Sequence, residues 1–354
     1  MANIDYRGTY TGTVIRGTTL NDTIYGGYGN DTIYATGGKN LIYATSGNNL
    51  INGSNGGDTI YGAAGRDTIR AGSGHDYINT GNGNNYVNAG GGRDTIYGGS
   101  GNDTILGMSG DNKIYAGSGN NFIYGGTGSD LIYSSSRGND IILGGGGDDT
   151  IYAGGGNNLV FTGAGNNKVY SSGSNDTLIA GSGDNLLQAS SSFSGCVLVC
   201  GIGSGNDTLY GGCGNDLLIG GRGASNSGNN FLYGGAGSDT YVFQFRSSDP
   251  GGGRVSSIGQ NFIYDSGGAY DVLVLCNISA GDLTYQQVGM YDLRITVDGV
   301  DGFIVLLDHF KVANRIEEIR FESSMPDVRL NVSLSQYIEA GDVAAVNRDS
   351  GLWG

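Results

Sequence analysis

A period of nine residues constrains this chain more than any other feature of it. Aligned on the residue two before each aliphatic, a first run places Asp22, Asp31, Asn40, Asn49, Asp58, Asp67, Asp76, Asn85, Asp94, Asp103, Asn112, Asn121 and Asp130 in register. After a one-residue insertion a second run gives Asp140, Asp149, Asn158, Asn167, Asp176 and Asn185, and the pattern, loosened around Cys196, returns at Asp207, Asp216, Asn230 and Asp239. Two positions after each stands an apolar residue, as in Ile24, Ile33, Ile42, Ile51, Ile60, Ile69, Ile78 and Val87. Flanking residues such as Thr23 and Tyr25 alternate with it, which is strand periodicity with one side inward. A Gly-x-Gly turn precedes each strand, as in Gly26-Gly27-Tyr28-Gly29-Asn30-Asp31, because so tight a turn uses backbone angles that a Cβ forbids. One short strand cannot bury its aliphatic alone, whereas stacked units can, so the period predicts a solenoid. The 71 Gly and 2 Pro among 354 residues then belong to a repeat rather than to disorder. Residues 1–20 read as a degenerate cap coil in which Ile15 and Tyr6 keep the inward phase.

The segments GGYGNDTIY, GGSGNDTIL, GGGGDDTIY and GGAGSDTYV resemble the RTX nonapeptide G-G-x-G-x-D-x-U-x, over about residues 17–245. The resemblance implies an all-β, right-handed parallel β-roll solenoid whose successive nonapeptides form opposite sheets, with multiple calcium ions between stacked turns. It also implies the ligands: Asp22, Asp31, Asp58, Asp67, Asp76, Asp94, Asp103, Asp130, Asp140, Asp149, Asp176, Asp207, Asp216 and Asp239. Electrostatics agrees with it. Strands ~4.8 Å apart bring turn carboxylates to a similar spacing, where a like-charge pair costs ~3 kcal/mol at an effective dielectric of ~20. Calcium takes six to eight hard oxygens and would relieve that repulsion. The plainer alternative is that Asp and Asn only cap turns by hydrogen bonding. A net charge of -15, from 33 acidic and 18 basic residues, disfavours nucleic acid or an anionic membrane as partner and favours cations.

The chain departs from the family where Asn replaces Asp. If alternate units occupy opposite edges, one edge reads Asp31, Asn49, Asp67, Asn85, Asp103, Asn121, while the other carries Asp58, Asp76 and Asp94 in succession and later the pair Asp130 and Asp149. Unequal sites are expected, with those two stretches among the strongest. The outward faces differ as well. One presents Tyr25, Tyr43, Tyr61, Tyr97, Tyr115, Tyr133, Tyr152, Tyr170, Tyr210 and Tyr233, interrupted at Asn79 and Gln188. Such a column either stabilises the sheet by aromatic pairing or offers flat rings to a sugar or a protein. The other face turns apolar from Leu143 to Val242 and calls for a cover, either the C-terminal segment or a second copy.

The array is read as residues 21–248, followed by a β-rich segment at 249–322 with strands expected at Ile263–Asp265, Val272–Leu275, Leu293–Val297 and Ile304–Leu306. That segment resembles the domain that follows RTX arrays in haemolysin-type calcium-binding proteins, on Asp271-Val-Leu-Val-Leu275, Asp292-Leu-Arg-Ile-Thr-Val297, His309-Phe310 and Ile316-Glu-Glu-Ile-Arg-Phe321. The N-terminus shows no cleavable secretory signal, and no apolar run approaches the ~20 residues of a membrane helix. By resemblance alone, 323–354 is the candidate type I secretion signal. The protein would then be secreted, extracellular or at the cell surface, folding on calcium after export. No catalytic set is visible: His75 and His309 are isolated, and Gly-x-Ser-x-Gly, phosphate-loop and His-Glu-x-x-His motifs are absent. Cys196, Cys200, Cys213 and Cys276 lack zinc-site spacing. The expected function is therefore a non-enzymatic, calcium-binding structural or assembly protein, with a calcium-dependent polysaccharide-binding module using the tyrosine face as the alternative.

Overall fold

The computed structural model describes all residues except 191–193, 202–204, 222–227, 246–254, 269, 312–313 and 324–354. They fall into two units, Met1–Leu159 and one that begins at Val160. Each is an all-β parallel solenoid, with no α-helix among the described residues.

In the first unit every nonapeptide supplies one strand, and consecutive strands join different sheets. Partners therefore lie two repeats apart. Ile24 faces Ile42, Ile42 faces Ile60 and Ile60 faces Ile78 in one sheet, and Ile15, Ile33, Ile51 and Ile69 stack likewise in the other. A strand of three residues turns only its middle side chain inward, so the core is a column of aliphatics with Ile24, Ile33, Ile42 and Ile51 wholly buried. Burying each contributes roughly 2 kcal/mol, which a lone repeat could not collect. Successive turns touch backbone to backbone. Gly83, at φ +126°, would place a Cβ 1.9 Å from the carbonyl oxygen of Gly65 one coil away. In the cap, Ile15 is buried as expected but Tyr6 is 36% exposed. The strand Asn3–Asp5 sets Ile4 opposite Ile24, which leaves Tyr6 one residue past the strand end, in solvent.

The second unit keeps the parallel pairing while the coils lengthen. Leu187, Leu209, Leu232 and Ile263 stack in one sheet, and Leu198, Leu218, Tyr241, Leu273 and Ile319 in the other. Pairing of this kind runs on past residue 249 through Ser257–Tyr264, Val272–Cys276, Asp301–Leu307 and Glu318–Glu322. Leu283–Val288 and Asp292–Val297 form an antiparallel hairpin beside Asp301–Leu307.

Candidate metal centre

All fourteen aspartates singled out by the repeat are at most 3% exposed. Their side chains turn into the structure rather than out to water, and one oxygen of each has a fixed structural task. The backbone N–H of Asp58 donates to Asp76 Oδ1 at 2.6 Å, that of Asp76 to Asp94 Oδ1 at 2.8 Å, and that of Asn49 to Asp67 Oδ1 at 2.8 Å, each across 18 residues. Asn serves equally well, as when Asp31 N–H donates to Asn49 Oδ1 at 2.9 Å. The constant separation shows that alternate nonapeptides do share an edge. It also shows that this acceptor column is indifferent to charge.

The second carboxylate oxygen divides the aspartates. Six have a protein donor for it: Asp22 from Thr18, Asp31 from Gly27, Asp58 from Ser54, Asp140 from Ser134, Asp176 from Ser171 and Asp207 from Gly201. In Asp67, Asp76, Asp94, Asp103, Asp130, Asp216 and Asp239 the Oδ2 atom is buried and no hydrogen bond reaches it. A buried acceptor in that state loses its solvation without compensation. Burial accordingly pushes the carboxyl groups of Asp67, Asp94 and Asp216 up to about 6. It pushes those of Asp76, Asp103, Asp130 and Asp239 up to about 7, with the charges of Asp94 and Asp58 adding to the effect at Asp76. Asp149 is driven further, to about 8, again chiefly by burial.

The asparagine turns show what is missing at the aspartate turns. Asn49 Nδ2 donates to the Gly47 carbonyl and to Asp67 Oδ1, both at 2.9 Å. Asn85, Asn112 and Asn185 make the same bond to the carbonyls of Gly83, Gly110 and Gly183 at 2.9, 2.8 and 2.8 Å. The amide supplies a donor among the turn carbonyls. A deprotonated carboxylate can only accept, so an aspartate turn gathers carbonyl and carboxylate oxygens with nothing positive among them. The space is also closed to side chains, since a Cβ on Gly62 would lie 2.7 Å from both Asp67 Oδ2 and the Thr80 carbonyl. Hard oxygens alone, some anionic, are the donor set that suits calcium, and the seven donorless oxygens show that the residues fit such an ion.

Other ladders run outside. At the position before each Asx, the Asn48 N–H donates to Asn30 Oδ1 at 2.7 Å and the Asn120 N–H to Asn102 Oδ1 at 2.8 Å, an exposed column that the sequence reading missed although the asparagine recurs at that position. His75 occupies it too, its Nδ1 accepting the Arg93 N–H at 2.8 Å.

The tyrosines stack face to face. Ring centroids are 5.2 Å apart for Tyr25 and Tyr43, 4.9 Å for Tyr43 and Tyr61, 4.8 Å for Tyr97 and Tyr115, and 5.1 Å for Tyr115 and Tyr133, all within 7° of parallel. Tyr133 and Tyr152 continue the stack at 4.8 Å, and Tyr210 and Tyr233 stack at 4.5 Å. The gap at Asn79 is bridged by Tyr77, tilted between Tyr61 and Tyr97 at 5.9 and 5.5 Å. On the opposite face Leu106, Tyr124 and Leu143 are buried, and in the second unit Val199, Ile219, Val242, Val274 and Cys276 form one buried cluster. Of the C-terminal segment expected as a cover, Val272, Val274 and Cys276 join that cluster, and residues from 324 onward lie outside the described ones. All four cysteines are free thiols, only Cys213 being exposed.

A family model described as RTX calcium-binding nonapeptide repeat (4 copies) matches in overlapping registers across residues 8–132, 134–187 and 203–243, more than half of the chain. No curated protein sequence matches it.

Proposed function

Because the chain belongs to the family of RTX calcium-binding nonapeptide-repeat proteins and so binds several calcium ions, we propose that it is a secreted, extracellular or cell-surface structural protein. In this reading its roll folds when it meets calcium after export, without a catalytic role. The observation that carries the proposal is the set of seven buried aspartate oxygens without a donor. Calcium, when bound, supplies the positive charge they lack, and the aspartates of the repeat are its ligands. Folding then waits for the ion, because a ligand that binds only the folded state adds its binding free energy to stability. None of the described helices is long and apolar enough to cross a membrane.

Loading is uneven in this reading. Asp76, Asp94 and Asp130, which the sequence places in the strongest stretches, each retain a donorless oxygen, whereas Asp58 has both its oxygens served by the protein. The asparagine turns, supplied by their own amides, take no ion. The tyrosine column supports a structural role over glycan binding: stacked rings within 7° of parallel cover one another's faces, and those are the surfaces a sugar would need. Residues 249–322 are read as the post-array segment and 323–354 as the export signal, of which 324–354 lie outside the described residues. Circular dichroism of the full chain in chelator and in millimolar calcium tests the proposal. Strand signal that appears only with calcium supports it, and equal signal in both refutes calcium-driven folding.

A further inference from the structure

At the end of the last matched repeat the second unit holds a cluster that joins its aspartate, Asp239, to two residues beyond the repeats, Asp265 and Asp271. Asp239, Asp265 and Asp271 each bring a carboxylate oxygen within 4.8 Å of the others, and all three are buried, at 0, 1 and 2% exposure. Each is already anchored through one oxygen. The Asp216 N–H donates to Asp239 Oδ1 at 2.8 Å, the Gly267 N–H to Asp265 Oδ1 at 3.0 Å, and the Asp239 N–H to Asp271 Oδ1 at 2.8 Å. Backbone thus fixes three anionic groups around one point.

Two further facts point to a ligand there. Asp239 Oδ2 is buried with no hydrogen bond, and it is aimed into the cluster. A Cβ on Gly234 would lie 2.3 Å from this oxygen and 2.2 Å from Tyr241 Oη, and that hydroxyl donates to Asp265 Oδ2 at 2.7 Å. Tyr241 itself departs from the repeat. It occupies the inward position filled by Leu218 and Leu273 on the neighbouring strands, and so carries a phenol through the core to the turn. Asp265 departs too. It follows Tyr264, which pairs with Tyr233, so it stands where the repeat has Gly234. The surroundings add negative charge, because Glu317 accepts the Asp271 N–H at 2.7 Å. No described Lys or Arg pairs with the three aspartates.

We infer that Asp239, Asp265 and Asp271 form a separate calcium site that closes the array, with Tyr241 as the residue that orients Asp265. Three carboxylates at one ion exceed what an array turn offers, and affinity rises with ligand charge, so this site fills before the turns. It also fastens Asp265 and Asp271, which follow the repeats, to Asp239 of the last one. The site does not depend on the array ions.

Native mass spectrometry of the full chain at graded calcium counts the ions directly. Asp265→Asn is expected to hold one ion fewer than the wild type and to lose the one that appears at the lowest calcium. Asp76→Asn is expected to lose an ion that appears later. Tyr241→Phe is expected to keep the ion count while the first Kd rises by about tenfold, as for loss of an orienting partner. An Asp265→Asn protein with the full ion count, or a Tyr241→Phe protein with an unchanged first Kd, overturns the inference even where Asp76→Asn loses its ion. A wild type that holds no calcium overturns the array reading as well.

Discussion

In metal-free buffer the stability of this protein is expected to fall as pH rises from 5 to 8, the reverse of the usual acid denaturation. Asp103 shows the magnitude. Burial raises its carboxyl from 3.8 to about 7, and at about 1.4 kcal/mol per pKa unit its ionisation costs the folded state on the order of 4 kcal/mol once the pH is well above 7. Asp76 and Asp130 sit at a similar level, and Asp67 and Asp94 at about 6. The folded chain holds these protons more tightly than the unfolded chain does. Their contribution is therefore complete below about pH 4 and is lost as the pH climbs through 6 and 7. Two or three such groups match the whole stability of an ordinary domain, about 5–15 kcal/mol. Urea unfolding of chelator-stripped protein, followed by circular dichroism at half-unit pH steps, measures the effect. The midpoint should drop above pH 5 until, near neutral pH, no strand signal remains to unfold without calcium, and saturating calcium should abolish the drop. A metal-free midpoint that stays constant or rises between pH 5 and 8 would refute the claim that these carboxylates are buried without a counter-charge.

Three substitutions probe separate parts of the same picture. Gly62→Ala brings a Cβ to 2.7 Å from Asp67 Oδ2 and from the Thr80 carbonyl; a loss of about 2 kcal/mol in calcium-saturated urea denaturation is expected, in the range of overpacking. Thr45 holds φ +77° where most repeats have glycine, so Thr45→Gly should raise the urea midpoint, by about 1 kcal/mol for release of a β-branched residue from left-handed geometry. Tyr115→Ser removes two stacked contacts, at 4.8 and 5.1 Å. It should cost about 1–3 kcal/mol by differential scanning calorimetry while the calcium count stays the same.

The sequence is most informative here where geometry repeats. Asp67 and Asn85 differ in charge yet both lie in one column, because the spacing of nine fixes where a side chain points and their shared task is to accept one N–H. What the spacing cannot say is who serves the second oxygen. Asp58 and Asp76 look alike in sequence, but Ser54, four residues before Asp58, closes the strand Leu50–Ser54 and donates to it from both N–H and Oγ, and Asp76 has no such neighbour. A hydroxyl residue where the repeat has glycine four residues before the aspartate was the available signal. Tyr77 bridging the stack at Asn79 escaped because it flanks the inward Ile78 on the other side from Asn79. Asp265 and Asp271 were out of reach for a different reason: the coil lengths past Asp239 vary, and the periodicity that located the other aspartates no longer applies.

The acceptor column has a direction. Within each unit the amide of one coil donates to the Asx side chain of the coil that follows it in sequence, as Asp58 does to Asp76 and Asp216 to Asp239, and in the second unit the series ends with Asp271 donating to Glu317. For this buried side-chain bond a coil relies on its successor, whereas in the exposed asparagine ladder, as from Asn48 to Asn30, it relies on its predecessor. Shortening such a stack from the front leaves every surviving Asx amide its side-chain acceptor in the buried column, whereas shortening it from the back strips the new last coil of that acceptor. The buried column is polar in the way a zip fastener is, and in the second unit its stop is Glu317.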